Sequence, residues 1–179
     1  KNPRINSAPS AAVIHIVSSF VFCIFGAFQF IKSIRNRYPL LHKISGRVVV
    51  FLGLCSALSG VWLTYFYSFP LSLQGNLLFS VRMIVGFSMA SFILLGLSSI
   101  LNGRIELHRA WMIRAYALGQ GAGTQVLTAI PWFIAGGEPE GLIRDIQMTV
   151  SWAINIIFAE CLIVKLDRKG HLYRVQKVC

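Results

Sequence analysis

Acidic residues are scarce in this chain. Six aspartates and glutamates stand against 17 lysines and arginines in 179 residues, and charged residues of either sign make up 13%. Soluble domains carry about a quarter. No carboxylate dyad, G-x-G-x-x-G, P-loop, H-E-x-x-H or G-x-S-x-G string occurs, so hydrolase, kinase and nucleotide-binding readings have no support. The four cysteines (Cys23, Cys55, Cys161, Cys179) form no C-x-x-C pair. That removes a zinc ribbon and a disulfide scaffold and leaves them as small apolar packing residues. A net charge of +11 would suggest nucleic acid in a soluble chain, but its distribution points to membrane orientation instead, and no nucleic acid partner is expected.

What the chain has in quantity is apolar sequence: 55% of residues are hydrophobic, with a mean hydropathy of +0.66. A span of about 20 apolar residues crosses the hydrocarbon core of a bilayer. The expected fold class is therefore all-α, a polytopic integral membrane protein with five transmembrane helices at about 10–31, 46–69, 77–101, 110–135 and 145–164. These form a single domain over 10–164, between an external tail at 1–9 and a basic cytoplasmic tail at 165–179. Pro39 reads as a loop breaker, and the aromatic cluster Trp62, Tyr65, Phe66 and Tyr67 marks an interface. Lys1 in place of a methionine is read as a processed or longer native N-terminus.

Five crossings put the termini on opposite sides. Thirteen of the 17 Lys and Arg then fall on one side, which the positive-inside rule makes cytoplasmic, with the N-terminus outside. A bacterial inner membrane, or an organellar inner membrane, is the expected location. The basic tail is expected to meet anionic lipid heads.

The string Leu41-His42-Lys43 returns as Leu107-His108-Arg109, 66 positions later. Shifting the chain by that interval lays the first span on the third and the second on the fourth. The expected architecture is a four-helix bundle of two tandem hairpin repeats, related by an axis along the membrane normal, with the fifth helix on its side.

Ionisable groups inside spans are costly and mark function or pairing. His42 and His108 should share one depth at the cytoplasmic edge. Two imidazoles so placed suit a bis-His haem b, with Arg47, Arg109 and Lys43 as partners for the propionates. The plainer alternative is that both cap or snorkel at helix starts. No metal site is assigned. Arg114 and Glu160 fall at one depth and are expected to pair, with Gln29 nearby. Near the outer face lie His15, Arg82, Asp145 and Gln125, with Arg82–Asp145 a second expected pair. His171 falls in the tail, so no second bis-His site exists by count.

The strings His15-Ile16, Gly26-Ala27-Phe28-Gln29-Phe30, Arg35, Pro39, Leu41-His42-Lys43, Gly46-Arg47-Val48 and His108-Arg109, Trp111-Met112-Ile113-Arg114-Ala115-Tyr116-Ala117-Leu118 resemble a bacterial predicted-membrane-protein family, domain-of-unknown-function family 2306. The resemblance covers about residues 15–125. Lys43 stands where arginine is commoner, Ala27 where proline is usual and Ala115 where serine is usual. The polar or basic position that follows the Thr of the fourth span is Gln125 here, after Thr124. The resemblance implies a small polytopic membrane protein and supplies no activity. The leading functional expectation is a subunit or accessory of a larger membrane complex, with other membrane subunits as partners. A b-type cytochrome-like electron carrier and a transporter or lipid-binding protein are the alternatives.

Overall fold

Pro39 starts a helix. Its missing N–H is no loss in a first turn, and its fixed φ suits one. In the computed structural model, which describes the backbone of residues 9–176 and side chains through Arg168, the order is α1 (Pro9–Gln29), α2 (Lys32–Arg37), α3 (Pro39–Phe66), α4 (Asn76–Leu101), α5 (Ile105–Gly119), α6 (Gly121–Ile134) and α7 (Gly141–Gln176). The stretch between the first two expected spans is thus mostly helical, and the second span begins about two turns before the expected residue 46. The tail residues 1–8, the side chain of His171 and Cys179 lie outside the described residues.

Four helices are long and apolar enough to cross a membrane: Pro9–Gln29, Pro39–Phe66, Asn76–Leu101 and Gly141–Arg168. Their outward faces carry large apolar side chains such as Ile16, Phe20, Phe51 and Phe158, each more than 60% exposed. That pattern suits hydrocarbon as the surrounding solvent.

The expected fourth span, 110–135, is not one helix. It is broken at Gln120 into α5 of 15 residues and α6 of 14, each about 21–23 Å long at 1.5 Å per residue. The cause lies in local sequence and in packing. Gly119 and Gly121 weaken the helix on either side of Gln120. A Cβ on Gly121 would collide with the indole Nε1 of Trp152. Carbonyls at a helix end need partners, and α7 supplies them: Trp152 Nε1 donates to Leu118 O at 3.2 Å and Asn155 Nδ2 to Ala117 O at 3.1 Å.

Packing runs in a ring. α1 lies along α3, α3 along α4 and α4 along α5, and α5 closes back on α1, while α7 lies against α4, α5 and α6. The buried core draws Phe22 from α1, Val49 and Ala57 from α3, Met89, Ala90 and Ile93 from α4, and Ala115 and Leu118 from α5. Phe22, 1% exposed, is central. A Cβ on Gly53 would come within 2.7 Å of its ring, and one on Gly119 within 2.6 Å.

Candidate functional site

His42 and His108 are each the fourth residue of their helices, α3 and α5. These helices occupy opposite corners of the ring, joined through α1 on one side and α4 on the other. The Nδ1 of His108 lies 2.8 Å from the carbonyl oxygen of Gly96. A carbonyl only accepts, so Nδ1 is the donor in this contact, and Nε2 is the ring nitrogen open to a ligand. The Nδ1 of His42 is buried and has no hydrogen-bond partner. His42 is within electrostatic range of both Arg35 and His108.

Arg114 and Glu160 meet side by side: Nε donates to Oε1 at 2.6 Å and Nη2 to Oε2 at 2.8 Å. The guanidinium also lies over the Trp111 ring, 4.8 Å from its centroid. Gln29 does not join this layer. It donates through Nε2 to Ser45 Oγ at 2.8 Å, and so ties α1 to α3. Arg109 is held by Glu106 at 2.6 Å, and Arg47 is exposed.

At the other end of the bundle the expected Arg82–Asp145 pair is not formed. Asp145 is 2% exposed and accepts from Gly75 N at 3.1 Å and Leu78 N at 3.2 Å. It caps the start of α4 from α7, where free N–H groups and the positive end of the helix dipole favour an anion. The Arg82 guanidinium, which has no contact ion pair with Asp145, donates instead to Gln74 Oε1 at 2.5 Å and lies over the Phe69 ring at 5.4 Å. His15 is fixed to α3, its Nδ1 lying 3.0 Å from Ser56 O and 3.2 Å from Ser59 Oγ.

A polar seam between α6 and α7 escaped the sequence reading. Thr124 Oγ1 donates to Asn155 Oδ1 at 2.7 Å, Thr128 and Ser151 share a hydrogen bond at 2.8 Å, and Gln147 Nε2 donates to Gln125 O at 2.8 Å. The Nε2 of Gln125 itself is buried without a partner. The signal was present in the spacing: Gln147, Ser151 and Asn155 recur every four residues and so share a helix face. Tyr116 was also passed over. Its hydroxyl donates to Cys23 O at 2.8 Å and its ring meets Phe30 at 5.1 Å. Among the described residues no three His, Cys, Asp or Glu side chains gather as a metal set.

Long helices with apolar outer faces mark an integral membrane protein. The chain belongs to the family described as Predicted membrane protein (DUF2306), whose model matches residues 12–163. The match therefore takes in most of the fifth expected span as well as the strings before it. No curated protein and no solved structure matches the chain.

Proposed function

We propose that the protein is a membrane-embedded electron carrier that binds haem b between His42 and His108. The observation that carries this reading is the pair of imidazole nitrogens at one end of the bundle. A ligating histidine characteristically donates its other ring N–H to a carbonyl or carboxylate, as His108 does to Gly96 O. A buried imidazole nitrogen without a partner, as on His42, is costly unless something completes it. The residues present fit the group: two imidazoles on helices at opposite corners of the ring, with Arg35 in electrostatic range of the first. Arg109 is engaged by Glu106, so Arg35, on α2, would be the partner for a propionate. Bound there, the iron would supply a one-electron couple. The chain's own part is to orient the imidazoles, as Gly96 O does for His108. Neither the subunit reading nor the transporter reading draws on a residue pair of comparable specificity.

The reading takes five crossings, with α5 and α6 together as the fourth. Support comes from α7, a helix of crossing length, which they flank antiparallel from Arg114 opposite Glu160 to Thr128 opposite Ser151. It also takes two tandem hairpins. The starts of α3 and α5, the histidines, and the two glycines on Phe22 are each 66 positions apart. The positive-inside count puts the histidine end on the cytoplasmic side with the N-terminus outside.

The test is absorbance. Protein purified in mild detergent from haem-replete cells should show a Soret band and about one haem per chain. A colourless, folded preparation would refute the proposal.

A further inference from the structure

We propose that Arg82 and Arg144, at the Asp145 end of the bundle, hold an oxyanion, a phosphate or a carboxylate group. The argument begins with charge. Arg82 on α4 lies within electrostatic range of Arg144 and Asp145 on α7. It also lies in range of His15 on α1, which adds no negative charge. Asp145 is buried, and its two oxygens are taken up by Gly75 N and Leu78 N. The ion pairs among the described residues are Arg109–Glu106 and Arg114–Glu160, so neither Arg82 nor Arg144 has a carboxylate in contact. The remaining nearby acids, Glu138 and Glu140, are exposed on the loop before α7.

The partners that Arg82 does have are neutral: the amide oxygen of Gln74, the sulfur of Met148 at 3.9 Å and the face of Phe69. Arg144 has a buried Nε with no hydrogen-bond partner at all. Two guanidiniums therefore share this end with one carboxylate that is already committed to a helix start. Excess positive charge on half-buried groups without an anionic partner is costly. An oxyanion answers it with the right shape, since the guanidinium fork binds two oxygens at once.

Depth points the same way. Arg82 is the seventh residue of α4, but its guanidinium reaches back to Gln74, which precedes the helix. That reach sets the charge at headgroup level, with the stem along the helix. Phosphate at this level comes either from a lipid head or from solution, and both present the same oxygens to the arginines.

The two sources separate in one experiment. Protein in a phosphate-free, nonionic detergent is heated with increasing inorganic phosphate at constant ionic strength, and separately with increasing short-chain phosphatidylglycerol. A saturable rise in the unfolding midpoint on the order of 5 °C is expected with at least one of them. A rise with the lipid alone assigns the site to a headgroup, and a rise with phosphate alone assigns it to a free anion. Arg144→Gln should abolish the rise, and Arg82→Gln should do the same. Should Arg82→Gln fail to fold, Arg144→Gln decides alone, with Arg144→Lys expected to restore part of the response. No saturable rise in the wild type, or an undiminished rise in Arg144→Gln, would overturn the proposal.

Discussion

Asp145 on α7 caps the first turn of α4, its Oδ2 lying 3.2 Å from the amide nitrogen of Leu78. The contact joins two helices 67 residues apart in the chain at a point where both leave the same face of the bundle. Next to it, Gly141 N donates to Ser72 O at 2.8 Å, so the two connecting loops are tied as well. One carboxylate thereby does what a local Ser or Asp does in most helices, and α4, whose own N-cap is Gly75 with no side-chain cap, depends on it.

Asp145→Ala should leave buried N–H groups of α4 without an acceptor. The expected loss is about 1–2 kcal/mol, read as a lower midpoint on denaturant or thermal unfolding in detergent. Asp145→Asn, which keeps an acceptor oxygen, should lose less. Equal losses would mean that the charge and not the hydrogen bonds matters here.

Glu160→Ala should cost on the order of 2 kcal/mol, because it strands the Arg114 guanidinium beside Trp111. Replacing both partners, as Arg114→Met with Glu160→Met, should recover much of that, since no charge is then left unpaired. A double substitution as damaging as the sum of the singles would show that the pair is not coupled.

Gly53→Ala and Gly119→Ala should each destabilise the bundle by about 1–3 kcal/mol, since both push into the ring of Phe22. Because they strike one side chain from two sides, their effects should not add. Phe22→Leu should soften both. Additive losses untouched by Phe22→Leu would place the collisions elsewhere, for instance against Ile93 or Met89.

Gly121→Ala should displace the Trp152 indole, uncover the Leu118 carbonyl and cost more than about 1 kcal/mol. Trp152→Phe should remove the same hydrogen bond, so the double variant should be little worse than either single. The readout is again the unfolding midpoint. Full additivity would separate the break at Gln120 from Trp152.

Much of this was legible in the residues, for reasons that differ by feature. The apolar runs announced the long helices because nothing else tolerates a stretch so free of charge. Arg114 and Glu160 could be matched by depth alone, since a lone charge inside a span must find the other. The same reasoning misplaced Asp145. Sequence shows which charges oppose one another but not which helix start lies alongside, and here Asp145 meets the amides at the start of α4 and not Arg82. The break at Gln120 was hidden because small residues also suit close helix packing, and the donors that make the break tolerable, Trp152 and Asn155, stand more than thirty residues away. Pro39 was legible as punctuation, but whether it closed a loop or opened a helix depended on what followed. It opened one, and that puts His42 inside a helix at the same step as His108.

That equivalence of His42 and His108 is the core of the functional reading. Its most direct test is a dithionite-reduced minus oxidised absorbance spectrum of the purified protein, run alongside His42→Ala and His108→Ala variants that remain helical by circular dichroism. The account predicts sharp α and Soret bands of a six-coordinate haem in the wild type and their loss or collapse to a five-coordinate form in each variant. A wild-type spectrum without haem bands, or bands unchanged in both variants, would contradict it.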